Sequence, residues 1–109
     1  MKTLAAAYQL LSQSAYQTNF KMVVAGDGPA RAELEKLMPG AIFTGHLNHD
    51  RLSEIYASSD IFLFPSSTDN FPLVVLEAMA SGLVPVVADR GGAPSAVISS
   101  ENGLICRSY

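Results

Sequence analysis

The sequence predicts a doubly wound α/β domain built on a parallel sheet, and three observations lead there. Strand-like and helix-like patterns alternate along the chain, the strand segments are near-continuous apolar runs, and each connection is long enough for a crossover. In such a sheet, ligands bind at the carboxyl ends of the strands, so the loops that follow the strands are where function is sought.

Each element has its own signal. Leu4, Ala7, Tyr8, Leu11 and Ala15 recur at helical spacing, which predicts an amphipathic helix over 2–15. The run KMVVA (21–25) reads as a buried strand, and GDGP closes it with a tight turn. Residues 30–38 form the next helix, with Glu33, Glu35 and Lys36 on its wet face and Pro39-Gly40 ending it. A strand follows at 41–44, then the loop GHLNHD, then a helix over 50–58 whose inward stripe is Leu52, Ile55 and Tyr56. IFLF (61–64) is a strand apolar on both faces, stopped by Pro65. After the loop SSTDN come a central helix, a strand over 84–88, the turn DRGGAP, a short helix through Ile98, and a final turn and strand in ENGLIC.

Composition narrows the possibilities. The 109 residues suffice for one domain with one core, but are short for a complete two-substrate enzyme. Because the chain opens in helical pattern without a lead-in strand, a fragment of a larger protein is expected. The hydrophobic content of 49% against 16% charged describes a globular chain. A net charge of −3 with scattered basic residues argues against nucleic acid or an anionic membrane as the main partner. The single cysteine, Cys106, has no internal partner for a disulfide, which fits a reducing cytoplasm. No apolar run reaches membrane-spanning length, and no signal-peptide pattern opens the chain.

The chemistry is sought around 71–88, a stretch whose single charged side chain is Glu77. A carboxylate among apolar neighbours is costly to desolvate, so its presence asks for a reason. Pro72 suits the first helical position and Gly82 the left-handed residue past the end, so Glu77 falls one turn into the helix, on the face of Leu73. Asp69 precedes it on the incoming loop. Two acids flanking the free amides of a helix start describe a site for a ligand carrying both an anion and hydroxyls. The structural alternative is that Glu77 accepts hydrogen bonds from a neighbouring loop and locks the sheet edge.

Other motifs admit two readings. Gly26-Asp27-Gly28-Pro29 allows a backbone to approach a phosphate or nucleoside, and also serves as a plain turn. Ser66, Ser67 and Thr68 are phosphate donors or loop caps. His46 and His49 lack a supporting cysteine or carboxylate cluster, so no metal is expected. The methionines Met22, Met38 and Met79 sit at core positions.

With these residues assembled, the sequence resembles the nucleotide-binding half of family-four glycosyltransferases, retaining enzymes of the GT-B fold. The resemblance runs in register through VVAGDGPARAELE, AIFTGHL, EIYASSDIFLFPS, DNFPLVVLEAMASGLVPVVA and ENGL. It implies catalytic roles for Asp69 and Glu77, the acid-x7-acid pair: Glu77 would accept hydrogen bonds from the donor's ribose, and Asp69 would hold hydroxyls of the transferred sugar. It further implies donor contacts from Ser66, Asn70, Phe71 and Pro72, diphosphate binding by the amides around Leu73 and Val74, Gly26 at the border of the nucleotide cleft, and the Leu47 backbone facing the base. The variant STDNF is similar to the branch holding mannosyltransferases and sulfolipid synthases.

Two departures from the family pattern stand out. The first acid is Asp69 where most of the family has glutamate, and Pro72 replaces the usual glycine, which removes an amide and stiffens the loop. The family's Arg/Lys pair on the preceding strand and its acceptor domain are expected before Met1. The implied partners are a UDP or GDP sugar donor and a sugar, lipid or glycan acceptor, with no cofactor and no nucleic acid; membrane association would come only through the other domain. Alternative readings are a nucleotide-sugar epimerase of the same fold and a non-catalytic α/β binding module.

Overall fold

The structure, a computed structural model, describes residues 2–13, 20–65 and 73–107. The chain forms two compact units, Met1–His49 and Asp50–Tyr109.

In the first unit, α1 (Lys2–Gln13) is followed by β1 (Val23–Ala25), α2 (Arg31–Leu37) and β2 (Ile42–Gly45). β1 and β2 pair in parallel, Val23 opposite Ile42 and Val24 opposite Phe43. The register then slips so that Ala25 faces Gly45. The slip is absorbed by glycine: Gly45 has φ 73° and Gly26 has φ 112°, and the Gly26 amide donates to the Gly45 carbonyl at 2.9 Å. The helices are joined across the unit by Tyr8, whose hydroxyl accepts a 2.8 Å hydrogen bond from the Gly40 amide while its ring meets Phe20 edge-on. Leu4, Ala5, Leu34 and Met38 form the buried positions.

In the second unit, α3 (His49–Ala57), which starts at the unit boundary, leads into β3 (Ile61–Phe64), α4 (Leu73–Ala80), β4 (Val84–Ala88), a 3-10 helix (Ala93–Ala96) and β5 (Leu104–Cys106). The strands stand in the order β3-β4-β5, all parallel. Val75, Val87, Ala93 and Val97 make one core, with Phe62, Phe64, Met79, Ala96 and Ile105 packed on it. Tyr56, Ala78 and Leu83 make another, with Leu52 and Phe62. Phe62 belongs to both, so the β3 aromatics bind α3, α4 and the sheet together.

Residues alternate across a strand, so the face carrying Phe62, Pro85, Val87 and Ile105 is the packed one. The opposite face is apolar too, yet Ile61, Val84 and Leu104 remain 63%, 49% and 48% exposed.

The predicted parallel α/β class holds, since every named strand ladder is parallel. Two details differ. The strands fall into a two-stranded and a three-stranded sheet; the alternation of patterns dictates that strands run parallel but is silent about which ones are neighbours. The helix expected through Ile98 is a single 3-10 turn ending at Ala96, because Val97 is already extended at φ −120°, ψ 130°. Pro94 in the first turn withholds an amide, and the Ser95 hydroxyl bonds back to the Gly92 carbonyl at 2.6 Å, which favours a turn over a longer helix.

Candidate functional site

Apart from Glu77, α4 is built from residues that are apolar all round, a composition normally reserved for a helix enclosed by its protein. Val75 and Ala78 are fully buried, and Met79 joins them from the next turn. Its C-terminus is closed by a Schellman motif: Gly82 adopts φ 93°, its amide donates to the Met79 carbonyl at 3.0 Å, and the Leu83 amide donates to the Ala78 carbonyl at 3.1 Å. This is the left-handed glycine that the sequence requires at that position. The other end starts at Leu73, whose side chain is 56% exposed, and Val74 is half-buried. The amides of this first turn have no partner within the helix.

Glu77 sits one turn further along, half-buried between exposed Leu76 and buried Ala78. Its own backbone carbonyl is engaged by Ser81, whose amide and hydroxyl donate at 3.2 and 3.1 Å. The carboxylate is felt by Tyr56 of α3: burial, and then the charge of Glu77, raise the phenol above its ordinary range. Tyr56 is 8% exposed and packs with Ala78 and Leu83. From sequence Tyr56 is one of three inward residues of a stripe, and only its hydroxyl hints at more. The acid is less enclosed than its apolar neighbours in sequence suggest.

The other candidate positions distribute unevenly. Asp69, with Ser66, Ser67, Thr68, Asn70, Phe71 and Pro72, lies outside the described residues. Gly26 and Leu47 belong to the first unit, and Glu77, Leu73 and Val74 to the second. Gly26 has the positive φ of a residue that must be glycine, and a Cβ placed there would meet no atom within 4 Å. Its turn is organised locally: the Asp27 carboxylate accepts the Gly28 amide at 2.9 Å. Arg31 at the start of α2 lies 3.9 Å from Asp27, bonds Glu35 at 2.7 Å and reaches the Phe43 carbonyl at 3.5 Å. Bonding to Glu35 raises the Arg31 pKa, so this cation is held charged by its own acids.

Leu47 is half-buried in the loop after β2, between the exposed His46 and the Asn48–His49 entry to α3. Among the described residues no group of three His, Cys, Asp or Glu is placed to hold a metal ion. A shallow cavity of about 350 Å³ lies beside α2, lined by Arg31, Glu35, Met38, Pro39, Ala41 and Phe43. None of these is a donor-site candidate, and its one cation is already paired.

A family model described as "Glycosyl transferases group 1" matches residues 1–109. The chain is 50% identical over 80 residues to the sulfoquinovosyl transferase SQD2 of Arabidopsis thaliana, covering 72% of this chain and 16% of that protein. It is 40% identical over 90 residues to a GDP-mannose-dependent alpha-mannosyltransferase of Corynebacterium glutamicum, covering 82% and 22% respectively. Among solved structures, a crystal structure of a GtfA/B complex superposes with a TM-score of 0.79 at 26% identity, over 100% of this chain and 22% of that one. The chain thus spans about a fifth of the length of the proteins it matches.

Proposed function

This chain belongs to the glycosyl transferases group 1 family, and on that premise we propose that it is the donor-binding domain of a retaining glycosyltransferase that uses a nucleoside diphosphate sugar. The observation that carries the reading is the half-buried Glu77 one turn into α4, a helix whose first-turn amides have no partner within the helix. The relatives named for GDP-mannose and sulfoquinovose support a hexosyl donor.

In this reading Glu77 accepts hydrogen bonds from the ribose hydroxyls, and Asp69 holds hydroxyls of the sugar near the reacting carbon. The amides of Leu73 and Val74 bind the diphosphate, and Ser66, Asn70, Phe71 and Pro72 contact the donor. As the bond to the anomeric carbon breaks, negative charge grows on the departing diphosphate. Fixed amides and the positive end of α4 stabilise that charge without reorganising at the moment of reaction. The acceptor in this reading is a sugar, a lipid or a glycan, and the exposed free thiol of Cys106 fits a reducing cytoplasm. Among the described residues no helix is long and apolar enough to cross a membrane.

Titration of the chain with UDP and GDP, followed through backbone amide resonances, tests this. Shifts concentrated at 66–77 support donor binding, and a spectrum unmoved by either nucleotide overturns it. Glu77→Gln is expected to weaken binding by about tenfold or more with the fold intact, since hydrogen bonds to a charged acceptor are the stronger kind. If that substitution instead unfolds the domain, Glu77 is a structural residue and the chain a binding or scaffold module.

A further inference from the structure

The guanidinium of Arg31 is a meeting point for the segments that close the carboxyl ends of β1 and β2. Its Nε donates to Glu35 within α2 at 2.7 Å, Nη2 reaches the Phe43 carbonyl of β2 at 3.5 Å, and Nη1 stands 3.9 Å from Asp27 in the turn after β1. The same Asp27 oxygen accepts the Gly28 amide at 2.9 Å, so the carboxylate that shapes the turn is the one the cation faces. Gly45 is an independent sign of this arrangement. A Cβ placed on it would stand 3.2 Å from Nη1, tighter than ordinary contact, so the end of β2 runs close beside the guanidinium.

This is also where the first unit needs a brace. The ladder slips between Val24 and Ala25, and beyond the slip the Gly26 amide donates to the Gly45 carbonyl at 2.9 Å. Both are glycines at positive φ, 112° and 73°, so the backbone there has the widest conformational choice, and a register slip re-aims whatever follows it. Gly26 borders open space, because a Cβ built on it meets no atom within 4 Å. Its position must therefore be fixed from the other side.

Resting on the donor-site reading above, we propose that Arg31 is a positioning residue: its planar fork ties the Asp27-Gly28 turn and the end of β2 to α2, and so holds the Gly26 backbone at the border of the nucleotide cleft that the family resemblance implies. Arg31 itself touches no donor atom in this proposal, since its donors are directed at Glu35, Asp27 and the Phe43 carbonyl. The shape of the group matters as much as its charge. A lysine keeps the charge but concentrates it at one point without the planar fork, so it can hold Glu35 or the turn but not the strand end as well.

The test measures binding of GDP, and of inorganic pyrophosphate, which carries no nucleoside, to the wild-type chain, Arg31→Lys and Glu35→Gln. Arg31→Lys is expected to weaken GDP about fivefold while leaving pyrophosphate unchanged, and Glu35→Gln, which loosens one arm of the fork, to weaken GDP about twofold. If Arg31→Lys binds GDP as wild type does, charge alone suffices and the proposal is overturned, with the donor site left standing. If it weakens both probes equally, Arg31 only supports the fold and the proposal is again overturned. A second readout needs no ligand: the Gly26 and Gly28 amide resonances are expected to move in Arg31→Lys, and unmoved resonances also overturn the proposal. If they move while wild type binds neither probe, the donor reading falls and takes the positioning role with it, leaving Arg31 as a brace for the turn.

Discussion

Gly103 lies hard against Pro85: a Cβ added to Gly103 would come within 2.5 Å of the Pro85 carbonyl oxygen and 2.7 Å of its ring. Both residues are buried, and the contact is with backbone, which has little room to give. It sits just before β5 aligns Leu104 with Val86. Gly103→Ala is therefore expected to destabilise the chain by about 1–3 kcal/mol through overpacking. Urea unfolding should show the midpoint falling, with the loss of protection in hydrogen exchange concentrated on β4 and β5.

Tyr8 offers a milder case in the first unit. Its hydroxyl accepts the Gly40 amide at 2.8 Å, tying α1 to the turn after α2, and the site is exposed enough for water to replace it. Tyr8→Phe keeps the ring on Phe20 and is expected to cost about 0.5–1.5 kcal/mol, measured by the same unfolding experiment.

The C-terminus of α4 depends on backbone conformation alone. Gly82 at φ 93° holds the Schellman motif, and an alanine there has open space for its methyl group but the wrong dihedral preference. Gly82→Ala is expected to destabilise by about 1–2 kcal/mol, the cost of the left-handed conformation for a residue with a Cβ. Faster exchange of the Gly82 and Leu83 amides, relative to the amides of β3, would check it.

Tyr56 makes alkaline stability informative. Burial, and then the charge of Glu77, raise its phenol above the ordinary value of about 10. The unfolded chain therefore gives up this proton first, and over the window between the unfolded and folded values it binds fewer protons than the native state. Stability from this group is complete below about pH 10 and declines as pH rises from there. Tyr56→Phe is expected to remove that part of the alkaline slope, and Glu77→Gln to reduce it. Urea midpoints collected from about pH 8 to about pH 11 measure both.

What could be read from sequence follows from where the chain has sharp punctuation. β3 stops where Pro65 stands and β4 begins just past Gly82, and their observed bounds, Ile61–Phe64 and Val84–Ala88, coincide with the apolar runs. The stretch after β4 has glycines and a proline at its start but no such stop signal before Ile98, and the expected helix is one 3-10 turn ending at Ala96. Neither the division into two sheets nor the Val24/Ala25 register slip leaves a trace in hydropathy, because strand adjacency is decided by tertiary packing. At the site, Glu77 is legible as the only charge in its segment. That Glu77 is only half-buried is not, because its sequence neighbours are apolar and hydropathy alone does not show how far the side chain reaches water.

The outward face of β3, β4 and β5 has a practical consequence. Ile61, Val84 and Leu104 each open a strand and present branched hydrocarbon to water. Concentrated samples should therefore self-associate through this seam, turning cloudy well before the interior loosens. Lysine at Ile61 and glutamate at Leu104 should extend the usable concentration range while leaving the melting temperature nearly where it was, which light scattering and a thermal scan would separate.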